Sequence, residues 1–199
     1  MTEASIRALA NLRSLDNFQW YLVPMFVFVI YVYVVEAQKK NWDVVLTGLI
    51  YYALEWLWEI GNALLLHFTD YSALWTAPKD TAYLFLVGLN IEISMMFAMA
   101  GVILCKLLPG DKNKKIFGVS NRIVIPAALG LLGVVVEALL NQWGALVWEY
   151  SFWRWPNLYL LVIAYITPFY VMTLVYDKLP ILVKLRFLYL VVVVDVAAW

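Results

Sequence analysis

Residues 51–75, with the sequence YYALEWLWEIGNALLLHFTDYSALW, decide the fold of this 199-residue chain. Read as a helix, the stretch places Glu55, Glu59 and Asn62 at positions i, i+4 and i+7, so their side chains project from one face. The stretch also lies within an apolar run of membrane length. A carboxylate at bilayer depth costs at least about 2.5–3.5 kcal/mol on insertion scales, and such groups usually face a protein interior, a cavity or a substrate. The pattern therefore predicts a functional site around Glu59 inside a membrane-spanning bundle.

The composition indicates an integral membrane protein. The chain is 65% hydrophobic and only 14% charged, whereas a soluble domain averages about 45–50% apolar and about 25% charged residues. Its formal net charge of zero gives no indication of nucleic-acid binding. One histidine and a single cysteine, Cys105, exclude an internal disulfide, the histidine-rich di-iron oxygenases and most zinc sites. We therefore expect no metal site and no cofactor.

Apolar segments long enough to cross a hydrocarbon core of about 30 Å recur along the chain. They cover residues 19–37, 44–67, 81–108, 123–150, 157–176 and 180–199. The fourth is too long for one simple span, so it tilts, kinks or emerges past Gln142. The predicted fold class is all-α: a polytopic membrane helical bundle over 19–199 with six transmembrane helices. A short seventh element at the end of the chain is left open.

The first 18 residues are polar and lack the early apolar core of a signal peptide. Ile6, Leu9, Leu12 and Leu15 recur at three-residue steps, which suits a short helix in the membrane interface. Residues 1–18 are therefore predicted to form an interfacial segment, and a frayed terminus is the alternative.

The lysines and arginines fall unequally on the two sides of the predicted bundle. One side carries Arg7, Arg13, Lys79 and Arg154, and the other carries Lys39, Lys40, Lys106, Lys112, Lys114, Lys115, Arg122, Lys178, Lys184 and Arg186. The positive-inside rule places the second side in the cytoplasm. Loops 38–43, 106–122 and 177–186 are then cytoplasmic, and both termini are extracytoplasmic or lumenal, in a bacterial inner membrane or an ER membrane.

In this orientation, polar side chains from several segments reach one slab in the outer half of the bundle. The residues assigned to catalysis are Glu59, Asp195, Glu137 and Glu92. Those assigned to substrate binding are Glu55, Trp56, Trp58, Asn62, Asn90, Asn141, Tyr71 and Trp148. For each acid the alternative is structural, as a hydrogen-bonding group between helices or, for Asp195, a group solvated near the chain end. Trp20, Trp42, Trp75, Trp153 and Trp155 are interpreted as interface belts.

An internal repeat supports the convergence of these polar side chains at one depth. The order Glu59, Asn62, Trp75 is similar to the order Glu137, Asn141, Trp153, with a one-residue slip and a shorter loop. Both copies run outward and then back, as in a parallel duplication about an axis along the membrane normal. The repeat predicts that Glu59 and Glu137 face each other across a central cavity; chance similarity between aromatic-rich segments is the alternative.

Acids beside aromatic rings suggest one type of chemistry. A carboxylic acid in apolar surroundings stays protonated near neutral pH and can donate its proton to an alkene or an epoxide. Aromatic faces then stabilise the resulting carbocation by up to about 2 kcal/mol when desolvated. The sequence thus favours an isoprenoid cyclase or hydratase, with Glu59 as principal proton donor.

Short motifs also resemble a known family. Trp58-Glu59-Ile60 after a basic loop, Gly88-Leu89-Asn90 and Asp195 in VVVVDVAAW resemble the integral-membrane terpene cyclases of fungal meroterpenoid and indole-diterpene pathways. The resemblance covers residues 19–105 and the last segment, and it implies that Glu59 and Asp195 act as acid catalysts. Residues 137–156 are similar, more weakly, to membrane carotenoid hydratases and cyclases. Both resemblances imply proton-initiated chemistry on a lipophilic isoprenoid held within membrane lipid.

Two other functions remain open at this point. Midplane carboxylates and a parallel repeat also fit a small proton-coupled transporter or channel, and buried acids also fit a non-catalytic membrane partner subunit. No aspartate-rich pair suggests magnesium–diphosphate binding, which argues against a prenyltransferase. No lysine lies mid-span to form a retinal Schiff base. The sequence leaves the substrate, the organism and the oligomeric state open.

Overall fold

The apolar segments form helices whose ends carry recognisable local signals. The structure is a computed structural model that describes residues 1–199. Thr2 and Asn90 each cap a helix by accepting a hydrogen bond from a backbone N–H, and Pro180 directly precedes the last helix. The helices are α1 (Glu3–Ala10), α2 (Leu22–Gln38), α3 (Trp42–Thr69), α4 (Ile91–Leu107), α5 (Asn121–Gln142), α6 (Tyr159–Lys178) and α7 (Ile181–Ala198).

The helical character predicted from the sequence is confirmed. By length and composition alone, α5 and α6 could each cross a membrane, while α2 is apolar but shorter, with 17 residues. The count of six transmembrane helices stays a prediction. Helix α5 ends at Gln142, which matches one of the alternatives left open for the long fourth segment.

Helix α4 begins ten residues later than the predicted segment 81–108. Residues before it form a hairpin of two short strands, β1 (Leu84–Leu86) and β2 (Leu89–Asn90). Leu84 and Leu89 are fully buried in the layer of loops, so their apolar character reflects packing there. Asn90 is thus a helix cap and Glu92 lies in the first turn of α4, whereas the sequence placed both within the predicted span 81–108, near mid-depth or slightly outside it.

Two groups of helices pack closely and leave space between them. Helix α3 runs along α4 and α7, and α5 runs along α6. Glycines permit the close approach in each group, since a Cβ atom on Gly101 would lie 2.9 Å from the Cα of Gly48, and one on Gly130 would lie 2.7 Å from the Cα of Ile166. Between α3–α4 on one side and α5–α6 on the other lies a cavity.

One end of the bundle, here called the loop-rich end, carries the loops 70–90 and 143–158 and both termini. The backbones of Thr76 and Val147 exchange two hydrogen bonds of 3.1 and 2.9 Å, which join the loop after α3 to the loop after α5. Helix α1 packs on these loops through Ala8, in a buried cluster with Leu66, Leu84 and Leu146. The cavity is therefore covered at this end by packed loops.

The opposite end, here called the basic end, is held by ion pairs. The fully buried Lys184 donates to Asp43 at 2.6 Å, and Lys106 donates to the buried Glu36 at 2.9 Å. Arg122 donates to both carboxyl oxygens of Asp177 at 2.8 and 3.1 Å. A second hairpin, β3 (Lys115–Ile116) and β4 (Val119–Ser120), precedes α5 here. These pairs join α3 to α7, α2 to α4, and α5 to α6.

Candidate functional site

The cavity between α3, α4, α5 and α6 is the candidate site. It has a volume of about 810 Å³, and 25 of the 32 residues that line it are hydrophobic. Three carboxyl groups also line it: Glu55 and Glu59 from α3 and Glu137 from α5. Large, mostly apolar pockets with a few convergent polar groups are the usual form of small-molecule sites.

Glu59 is buried and is held by one tryptophan. The residue is 2% exposed, and the indole Nε1–H of Trp75 lies 3.1 Å from each of its carboxyl oxygens. Trp75 comes from the loop that follows α3, and its ring lines the cavity. Burying a carboxyl group without a hydrogen-bond partner costs free energy. The hydrogen bond from Trp75 offsets this cost and fixes the orientation of the Glu59 side chain.

Asn62, one turn after Glu59, shapes the loop that carries Trp75. Its Oδ1 accepts from the backbone N–H of Leu74 at 2.8 Å, and its Nδ2 donates to the carbonyl oxygen of Trp75 at 2.8 Å. Asn62 is 2% exposed and does not line the cavity. Its role in the structure is to position Trp75.

Gly88, in the turn between β1 and β2, packs directly against Asn62 and Trp75. A Cβ atom at this position would lie 2.6 Å from both the Nδ2 of Asn62 and the Nε1 of Trp75. Because no side chain fits there, the hairpin can lie directly against Asn62 and Trp75. The hairpin therefore completes the wall behind Glu59.

Glu137 on α5 has a similar environment. It is 4% exposed, and the indole Nε1–H of Trp148 donates to its Oε1 at 2.7 Å. The Tyr165 side chain from α6 lies beside this carboxyl group and packs on Gly133 of α5. Asn141, one turn later, donates to the carbonyl oxygen of Leu146 at 3.1 Å.

The two acids thus belong to two similar units, each with a helical acid, a following asparagine and a loop tryptophan. The structure brings Glu59 and Glu137 to one cavity, but it pairs Glu137 with Trp148, whereas the sequence repeat set Trp153 opposite Trp75. Trp153 instead stacks on Trp75, with ring centroids 5.8 Å apart and an interplanar angle of 28°. This stacked pair forms part of the cavity wall.

Glu55 and Trp58 complete the set of predicted residues at the cavity. Glu55 lies beside Tyr51 on α3, one turn before Glu59. Trp58 lines the cavity but is 52% exposed. Other exposed apolar residues of the lining, such as Met96 of α4 and Leu132 of α5, indicate that the cavity opens sideways to the surface of the bundle.

Two predicted catalytic acids lie outside the cavity lining. Glu92 accepts hydrogen bonds from Thr81 at 2.6 Å, from the backbone N–H of Ala82 at 3.2 Å and from the hydroxyl of Tyr21. It therefore joins the start of α4 to the chain before α2. Asp195 lies on α7 with a buried oxygen, Oδ1, that has no hydrogen-bond partner.

The remaining predicted binding residues also lie outside the lining. Trp56 packs on Trp199 with ring centroids 5.5 Å apart, and the exposed Tyr71 packs edge-on against Tyr150. Asn90 caps α4. Trp148, Asn62 and Asn141 lie behind the lining. Trp148 donates a hydrogen bond to Glu137, and the two asparagines bind the backbone of the loops that follow their helices.

Sequence reasoning did not assign three aromatic residues to the site. Trp75 and Trp153 were interpreted as interface belts, but they line the cavity because the loops that carry them fold back over the helices. Tyr165 was not singled out. Its position opposite Gly133 of α5 depends on helix packing, which leaves no local signal in the sequence.

No group of three or more His, Cys, Asp or Glu side chains is placed to hold a metal ion. What the arrangement offers is carboxyl groups, indole and phenol rings, and a large apolar volume. Such groups can exchange protons with a lipophilic molecule and stabilise a cation that forms on it.

Comparisons with other proteins bear on the class of protein. The model of a family described as an uncharacterized membrane protein family matches residues 2–199. An uncharacterized protein of Archaeoglobus fulgidus is 49% identical over 178 residues, which covers 88% of this chain and 84% of that protein. No solved structure matches the chain. Neither description mentions a terpene cyclase or a carotenoid hydratase, so those resemblances stay predictions.

Proposed function

The chain belongs to this uncharacterized membrane protein family, and from that premise we propose that it is an integral-membrane isoprenoid cyclase or hydratase. In this proposal, helices α2 to α7 span the membrane and the basic end faces the cytoplasm. The excess of lysine and arginine at that end supports the orientation. The sideways opening of the cavity would then face lipid, the phase in which an isoprenoid is dissolved.

The observation that carries the proposal is the cavity itself. It combines about 810 Å³ of mostly apolar volume with the carboxyl groups of Glu59 and Glu137 and the stacked rings of Trp75 and Trp153. A cavity of this kind can bind a long hydrocarbon and exclude bulk water. Water exclusion matters because water would capture a carbocation before rings close.

Glu59 is the proton donor in the proposed reaction. Its proton adds to one carbon of an alkene, or to an epoxide oxygen whose C–O bond then breaks, and a carbocation forms. In cyclisation, an internal C=C bond attacks the cation and a C–H proton leaves to a carboxylate, for which Glu137 is the candidate. The product is then an isomer of the substrate. In hydration, a water molecule adds to the cation instead and releases one of its two protons to the same carboxylate.

The partner acid is assigned to Glu137 because it shares the cavity with Glu59. Glu92 and Asp195, the other candidates from the sequence, do not line the cavity, so the proposal gives them no part in the chemistry. The ring faces of Trp75 and Trp153 are suited to stabilising the cation by cation–π attraction.

The transporter alternative receives less support from the packing. A path from the cavity to the basic end would cross a buried apolar cluster that contains Ile50, Leu104, Met172 and Val175. Tyr51 and Phe169 belong to the same cluster and line the cavity. This layer favours a cavity that is closed on one side over a continuous polar path.

The test uses solvent deuterium. Purified protein in lipid nanodiscs is incubated in D₂O with squalene, geranylgeraniol or 2,3-oxidosqualene, and the products are analysed by mass spectrometry. A product cyclised from squalene or geranylgeraniol would carry one carbon-bound deuterium, and a hydrated product would carry one as well as the added hydroxyl. The epoxide of 2,3-oxidosqualene is protonated at oxygen, so its cyclised product is recognised as an isomer with a changed retention time and carries no carbon-bound deuterium. The Glu59→Gln variant should lose this incorporation, whereas Glu3→Gln, at an exposed residue of α1, should retain it. Equal product from wild type and Glu59→Gln would overturn the proposed mechanism.

A further inference from the structure

The hairpin at the basic end has an unusual tip. Its strands pair Lys115 with Ser120 and Ile116 with Val119, so that Phe117 and Gly118 form a two-residue turn. Both turn residues have positive φ, 50° at Phe117 and 80° at Gly118. Such turns favour Asn, Asp or Gly, and a bulky residue in this conformation is an outlier. The position therefore holds a phenylalanine against its backbone preference.

The Phe117 ring does not pack against the protein interior. The residue is 100% exposed, and Val119, the first residue after the turn, is 44% exposed. Residues in strained backbone conformations cluster at functional sites, and the inference runs from the observed outlier to a function.

The first hairpin provides an internal comparison. Val87 and Gly88 lie at its turn, just as Phe117 and Gly118 do in the second, and each hairpin leads through a capping residue into a long helix. Val87 is 4% exposed, because that tip packs on the loops over the cavity. The two turns differ in conformation, since neither Val87 nor Gly88 has a positive φ. A hairpin that leads into a long helix can thus bury its tip, and the exposure of Phe117 is a property of the second hairpin alone.

Cations flank the exposed ring. Lys112, Lys114 and Lys115 are all exposed. Lys112 pairs with Asp177 at 3.3 Å, whereas Lys114 and Lys115 extend from the hairpin without an acidic partner. The surface formed by Lys114, Lys115, Phe117 and Val119, here called the hairpin surface, combines an apolar tip with free positive charge.

The helices on either side place this surface near the border of the apolar region. The hairpin lies between the end of α4 and the start of α5, where Leu107 is 52% and Ile123 is 48% exposed. Aromatic rings and basic side chains are the groups that favour the membrane interface, the first at headgroup level and the second beside anionic headgroups.

We propose that the hairpin surface anchors the basic end to the membrane, with Phe117 inserted among the lipids and Lys114 and Lys115 bound to anionic phospholipid headgroups. Charge complementarity favours this partner, since two unpaired lysines match anionic lipid and an isolated aromatic ring needs an apolar phase. The anchor holds the loop between α4 and α5, two of the helices that form the cavity. It requires only that the protein is embedded in a membrane, and it is independent of the proposed reaction.

A spin label at Val119 tests insertion while leaving Phe117 in place. The Val119→Cys substitution is made with Cys105→Ala, so that the label has a single site, and circular dichroism and the melting temperature verify the fold. In nanodiscs of phosphatidylcholine and phosphatidylglycerol, the label should be accessible to oxygen and shielded from a water-soluble nickel complex. A matched label at the exposed Asn113 should show the reverse. Equal nickel access at both sites, or spin–spin broadening from a second copy, would overturn the proposal.

Two further variants separate the contributions. Phe117→Ser should raise nickel access at the Val119 label in every lipid mixture. Lys114→Gln with Lys115→Gln should reduce phosphatidylglycerol retained on the purified protein, by about fivefold for each lysine removed. Retention that does not change in the double variant would exclude headgroup binding by these lysines.

Discussion

The indole N–H of Trp75 lies 3.1 Å from both carboxyl oxygens of Glu59, although the two residues are 16 positions apart in the chain. Asn62 makes this contact possible, because it holds the backbone of Leu74 and Trp75 against α3. Helix α3 therefore carries both Glu59 and Asn62, the residue that positions Trp75 against Glu59.

Trp75→Phe should impair the site through the loss of one N–H group. The phenyl ring retains most of the apolar contact, but both oxygens of Glu59 lose their donor, and a buried group left without a partner costs about 1–3 kcal/mol. We expect a lower melting temperature and a large loss of deuterium incorporation per folded protein.

Trp153→Phe is the matched control for this substitution. The Trp153 indole is buried in the same stacked pair, but its Nε1 has no hydrogen-bond partner. The variant should therefore keep its stability within about 1 kcal/mol of wild type, since no buried acceptor is left unpaired. Equal losses in both variants would mean that ring packing, and not the hydrogen bond, holds Glu59.

Gly88→Ala should damage the site without changing any polar group. The added methyl group would lie 2.6 Å from Asn62 and Trp75, so the hairpin or the tryptophan must move, and overpacking typically costs about 1–3 kcal/mol. We expect reduced activity and a lower melting temperature in detergent.

Gly61→Ala is the control for the glycine substitution. Gly61 lies on α3 with nothing within 4 Å of an added Cβ atom, and alanine is favoured over glycine within helices by about 0.5–1 kcal/mol. The variant should be neutral or slightly stabilised and fully active. A Gly88→Ala protein that behaved like Gly61→Ala would contradict the close approach of the hairpin to Asn62.

The sequence predicted the helical class well because hydrophobic runs report directly on burial and on lipid exposure. It failed at residues 81–90, where Leu84, Leu86 and Leu89 extend the apolar run but form a hairpin. Leu84 and Leu89 are buried and Leu86 is half-buried, and hydropathy does not distinguish burial in a loop layer from burial in a span. Gly88 and Asn90, a turn residue and a cap, were the local signals for the actual boundary.

For the site, the sequence placed Glu55, Trp58, Glu59 and Glu137 by helical spacing and depth, and these four line the cavity. Depth alone could not separate them from Glu92 and Asp195, because residues at one depth can face different neighbours around a helix. Trp75, Trp153 and Tyr165 reach the cavity through loop folding and helix pairing, and such long-range contacts leave no periodic pattern.

Glu92→Gln should separate a structural acid from a catalytic one. Glu92 accepts from Thr81, Ala82 and Tyr21, so the neutral side chain should weaken these bonds and lower the melting temperature. Because Glu92 does not line the cavity, deuterium incorporation per folded protein should remain near wild type. A Glu92→Gln protein that folds normally but is inactive would show that this acid takes part in the chemistry.

Asp177→Ala should destabilise the basic end and leave the chemistry intact. Asp177 receives two hydrogen bonds from Arg122, and the two side chains are only 11% and 15% exposed. Removing one partner of a buried pair leaves an uncompensated charge, which costs about 3 kcal/mol or more. We expect a clear drop in the melting temperature with activity per folded protein retained, because the buried layer around Ile50 and Met172 separates this end from the cavity. Lys178→Gln, at the adjacent exposed residue, should leave both measurements unchanged. A loss of activity in Asp177→Ala at full stability would instead indicate a polar connection between the basic end and the cavity, as a proton-coupled transporter requires.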